Sequence, residues 1–87
     1  MISIERTDPS AIDPATRREL ARVDILAAVR ALSVIARLPR AIREACAEQR
    51  RAWLDRLREA CTRALDARMS RNEVATCAGY YAGEVGL

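Results

Sequence analysis

The sequence predicts an all-α fold, and three features point there. Residues 40–69 run thirty positions without a glycine or proline. Alanine, leucine, arginine and glutamate, all strong helix formers, dominate that run. Apolar residues recur at the three- and four-residue spacing of helix faces, with no strand-like alternation. Together they predict a long antiparallel helical hairpin and a short C-terminal helix, completed by dimerisation or by a partner.

Residues 1–12 contain the turn-like cluster Thr7, Asp8, Pro9 and Ser10 and are expected to be a flexible N-terminal segment. Residues 13–87 form the single helical domain. Its first helix spans about 14–38. Asp13 suits the N-cap, and Pro14 suits the first helical position, where no backbone donor is required. Pro39 disfavours a helical continuation and ends that helix. The second helix is expected over about 40–69, with Arg51–Asp55 and Glu59–Arg63 as four-apart ion pairs. Ser70 followed by Glu73 reads as a capping box that opens a third helix over 71–78. Gly79 ends it, leaving a tail over 79–87.

The two long helices differ in their faces. On the second, Ile42, Cys46, Trp53, Leu57, Ala60, Cys61 and Ala64 share one side, and Glu44, Arg51, Asp55, Thr62 and Asp66 lie opposite. On the first, Leu20, Val23, Ile25, Leu26, Val29, Leu32, Val34, Ile35 and Leu38 point in nearly every direction. A helix apolar all round must be covered on more than one side. The folded-back second helix covers one, so a second copy or another protein is expected on the rest. Asp24, set among these residues, is expected to pair with an arginine.

Composition narrows the chemistry. Eighty-seven residues make one domain with a modest core. The opening MISIERTDPS has no basic head followed by an apolar run, and the three cysteines are an odd number, so a cytoplasmic chain with reduced thiols is expected. The longest apolar stretch, Ile25 to Ala36, is too short for a bilayer and is interrupted by Arg30. All fifteen basic residues are arginine, which codon bias explains, although the guanidinium also suits carboxylates and phosphates. A net charge of +3 does not by itself imply nucleic acid. With no histidine, histidine-based catalysis and the common histidine-containing zinc sites are excluded within one chain.

No other constellation carries chemistry. Cys46 and Cys61 lie fifteen residues apart on one helix, far beyond disulfide reach, and Cys77 lies in the third helix. No paired-cysteine spacing marks a metal site, and a cysteine nucleophile would have no histidine base. Glu44, Glu48, Asp55 and Glu59 alternate with arginines as a solvated face. No glycine-rich loop cradles phosphate. Neither an enzyme, nor a cofactor, nor a metal, nor a small-molecule substrate is expected.

The closing stretch SRNEVATCAGYYAGEVG resembles the helix–turn–helix of LacI-type repressors over seventeen residues. Ala75 falls inside the first helix of that pattern, Gly79 in its turn and Val85 in its recognition helix, with Val74 and Ala78 on the packing side. The resemblance implies a recognition helix beginning near Tyr80 or Tyr81, with Tyr81, Ala82 and Glu84 towards the bases and Arg71 among the DNA contacts. The sequence departs from the pattern at Gly83 and Gly86, each costing about 1 kcal/mol inside a helix. Past Ser70 a single arginine, Arg71, stands against Glu73 and Glu84, the wrong balance for phosphates.

The first expectation is therefore a non-enzymatic protein–protein interaction module, a small regulator or inhibitor of the size that mobile elements encode. It would bury Ile25, Val29, Leu32, Ile35 and Trp53 against a partner or in a homodimer. Arg37, Arg40, Arg43, Arg50, Arg51, Tyr80 and Tyr81 would form the polar rim. The second is a DNA-binding regulator acting through residues 70–87 or the arginine-rich inter-helix turn.

Overall fold

The computed structural model describes residues 13–87, and the segment expected to be flexible, 1–12, lies outside them. The described residues form helices α1 (Pro14–Ala36), α2 (Arg40–Ala45), α3 (Ala47–Asp66) and α4 (Arg71–Ala78). Two 3-10 turns follow, Gly79–Tyr81 and Gly83–Val85, and no strand occurs among these residues. The all-α expectation is met.

The helix starts follow the sequence signals. Pro14 occupies the first turn of α1 beneath Asp13. Asp13 contributes its backbone, its carbonyl accepting from the Arg17 amide at 3.0 Å, while its carboxylate makes no capping bond. Pro39 stands at the N-cap of α2. Ser70 caps α4, its Oγ accepting from the Glu73 amide at 3.1 Å. Its hydroxyl also donates to the Glu73 carboxylate at 3.2 Å. The two side chains thus bond to each other, where a full capping box would send the carboxylate to the Ser70 amide.

Two boundaries differ from expectation. The helix expected over 40–69 is divided at Cys46, whose amide is shared between the carbonyls of Ile42 and Arg43. No residue of α2 is buried, so tertiary packing does not hold that turn in register with α3. The second helix also ends at Asp66, short of Met69. Arg68 adopts the left-handed region at φ 73°, the Arg68 amide donates to Leu65 O, and the Met69 amide donates to Ala64 O, both at 3.0 Å. This is a Schellman closure with arginine where glycine is usual. Met69, folded back by it, is buried.

One cluster holds the elements together. α1 supplies Ala21, Ile25, Ala28 and Leu32, one stripe at spacings of four, three and four. α3 supplies Leu57, Ala60, Cys61 and Ala64, and α4 supplies Val74 and Ala78. Met69 and Tyr81 close its end, with Val29, Trp53, Leu54, Cys77, Val85 and Leu87 packed around it. Burial of an aliphatic side chain of this size stabilises by roughly 1.5–3 kcal/mol. The start of α1 lies beside the end of α3, where Arg18 reaches the Ala67 carbonyl and Arg63 Nη2 meets Asp24 Oδ2 at 3.3 Å. Among the described residues, no helix is long and apolar enough to cross a membrane.

Two stability outcomes follow from this packing. Leu57→Ala empties a fully buried site and should cost about 2–5 kcal/mol in urea unfolding; a loss below about 1 kcal/mol would contradict the packing described. Arg68→Gly removes a left-handed strain of order 1 kcal/mol and should raise the urea midpoint, whereas an unchanged or lower midpoint would show that the arginine side chain offsets it.

Candidate functional site

The core stripe of α1 determines what its other side presents. At 100° per residue, Leu20, Ala27 and Val34 fall on a line opposite Ile25 and Leu32, with Val23 and Arg30 beside it. Leu20, Val23 and Val34 are 52%, 57% and 55% exposed, and Leu26 on the adjoining flank is similarly open. Spacings of three and four in 20, 23, 27, 30 and 34 are those of a helix-packing seam.

A groove between α1 and α3 borders this seam. Its upper part, about 330 Å³, is lined by Arg17, Leu20, Ala21, Asp24, Arg63 and Asp66. The adjoining part, about 420 Å³, is lined by Asp24, Ala27, Ala28, Trp53, Arg56, Glu59 and Arg63. Asp24 and Arg63 belong to both, and their ion pair links the walls. Three arginines (17, 56, 63) and three acids (24, 59, 66) line it, so its charge is balanced. Trp53 is half-buried and carries the Arg56 guanidinium 4.7 Å from its ring centroid.

The expected interface residues separate into two groups. Ile25 and Leu32 are corrected: at 0% and 1% exposure they belong to the chain's own core and have no area left to give a partner. Val29 and Ile35 are half-buried at the edge of that stripe. Of the five, Trp53 alone lines the groove. Leu20, Val23, Ala27 and Val34 are the exposed positions on the other side of α1. Their signal was present in the same spacing, but hydrophobicity alone does not say which side of α1 meets α3.

The rim residues divide similarly. Arg37, Arg40 and Arg43 are exposed around the α1–α2 turn, Arg40 pairing with Glu44 at 3.2 Å. Arg51 is exposed on α3, whereas Arg50 is held by Glu84 of the tail at 3.1 Å. The expected Arg51–Asp55 and Glu59–Arg63 pairs do not form; Asp55 takes Arg58, and Arg63 takes Asp24. Tyr80 is 89% exposed, while Tyr81 is buried with its ring edge-on to Tyr80 at 5.3 Å.

The helix implied after Gly79 by the repressor resemblance is absent. Gly79 turns at φ 58°, ψ −128°, a conformation favouring glycine, and two 3-10 turns succeed it. Tyr81 therefore packs inward and is no base contact, while Arg71 reaches the Gly86 carbonyl at 3.5 Å. Among the described residues no cluster of acids and cysteines is placed to hold a metal. Comparison with protein families, curated proteins and solved structures found no match.

Burial, and then the neighbouring Cys77, pushes the Cys61 thiol up. Cys46 and Cys77 are half-buried, so a thiol reagent near pH 8 should modify both before Cys61; equal rates at all three would contradict the α3 packing. The folded state keeps the Cys61 proton longer than the unfolded chain does. Stability is thus fully present below the ordinary thiol range and should fall as pH rises through it, a loss that Cys61→Ala should diminish.

Proposed function

We propose that this chain is a non-enzymatic protein–protein interaction module, a small regulator or inhibitor working in the reducing cytoplasm. In this reading α1 and α3 form an antiparallel hairpin braced by α4 and the tail. The hairpin presents the outer side of α1 and the adjoining groove to a protein. The observation that carries the proposal is the exposed seam Leu20, Val23, Ala27 and Val34 on a helix whose inner stripe is already fully used. Contiguous exposed apolar surface rimmed by charge is characteristic of interaction sites. Trp53 gives the groove an aromatic anchor, and the exposed arginines near the α1–α2 turn supply a polar border.

A paired change tests it. Leu20→Glu with Val34→Glu alters exposed positions and should move folding stability by no more than about 0.5 kcal/mol per site. Tagged full-length chain should capture a protein that the double variant loses, while Tyr80→Ala retains it. Equal capture by the double variant would remove the outer face of α1 from the account.

A further inference from the structure

Resting on that docking reading, we infer that the occupant of the outer face of α1 is a second copy of this chain, laid antiparallel across it with the two-fold axis beside Ala27. In a two-fold interface, residue i meets j and j meets i. Leu20 and Val34 lie seven residues before and after Ala27, within about 20° of its direction at 100° per residue. Each is therefore about 10 Å along the axis from Ala27, on opposite sides. An antiparallel crossing at Ala27 sets Leu20 against the partner's Val34, and Val34 against the partner's Leu20. The small alanine at the crossing permits close helix approach.

Charge complements the same arrangement. Glu19 and Arg37 are eighteen residues apart, five full turns, and so share one flank of α1. They stand eight residues before and ten after Ala27. The antiparallel crossing brings Glu19 towards the partner's Arg37 twice over. On the other flank, Arg17 falls near the partner's Ile35 and Asp24 near the partner's Ala31, so no like charges are opposed. A parallel crossing in register would leave Glu19 and the partner's Arg37 about 27 Å apart along the axis, and that pair could not form. The balanced groove beside the seam also suits a partner of mixed charge, where a polyanion would need an excess of arginine.

Sedimentation equilibrium of the full chain from micromolar to several hundred micromolar tests this. The apparent mass should climb from 9.7 kDa towards twice that value. Leu20→Glu with Val34→Glu should stay monomeric with an unchanged helical circular-dichroism spectrum. Glu19→Arg and Arg37→Glu should each weaken dimerisation about tenfold, and the two together should restore it, because the symmetric ion pairs are then re-formed in reverse. A monomer at every concentration, whether residues 1–12 or another protein takes the face, overturns the inference. A dimer that ignores the four substitutions also overturns it. If a monomeric chain still captures a cellular protein through Leu20 and Val34, the second copy is excluded and the docking reading stands. If capture is also insensitive to those residues, both fail.

Discussion

Ile25, Leu32, Leu57 and Val74 are the largest side chains withdrawn completely from solvent, and the arrangement of this small protein follows from how they meet. Each helix can give one stripe to that contact. α3 has only one to give, because Arg51, Asp55, Arg58, Thr62 and Asp66 occupy much of the rest of its surface. α1 has apolar residues on every side. The other described residues do not cover all of them: α4 has eight residues and contributes two to the core. Burial of the inner stripe of α1 therefore leaves Leu20, Val23, Ala27 and Val34 outside, and the exposed apolar face is a geometric consequence of forming the core.

The C-terminal segment completes the same core. Tyr81 is buried, Val85 and Leu87 pack around the cluster, and Arg50 holds Glu84 from α3. Gly79 makes the sharp change of direction that allows this return. A continuous recognition helix would carry Tyr81 and Val85 away from the cluster and forfeit their burial. The two 3-10 turns keep them against it at the expense of regular helical hydrogen bonding. Tyr80, which follows Gly79 directly, is left projecting into solvent.

Local signals were legible in the sequence. Pro14, Pro39, Ser70 and Gly79 mark helix ends through one-residue stereochemistry, and the structure follows them closely. The left-handed Arg68 was not legible, since arginine ordinarily continues a helix. Its conformation is set by the return of Met69 into the core, a contact visible only in three dimensions. The division at Cys46 has no proline or glycine to announce it. The choice among faces of α1 was the largest gap. Ile25 and Leu20 are chemically alike, and which of them faces inward is settled by packing against Leu57, Ala60, Cys61 and Ala64 of α3, more than thirty positions away. That pairing is long-range and leaves no mark in local spacing.

On the reading proposed above, α1 works on two sides, folding on one and docking on the other. Amide chemical shifts of isotope-labelled full-length chain, compared between about 20 and 500 µM, test it residue by residue. Changes should concentrate at Glu19, Leu20, Val23, Ala27, Val34 and Arg37, with Ile25, Leu32 and residues 71–87 nearly still. Changes centred on α4 and the tail, or on the arginines of the α1–α2 turn, would contradict it.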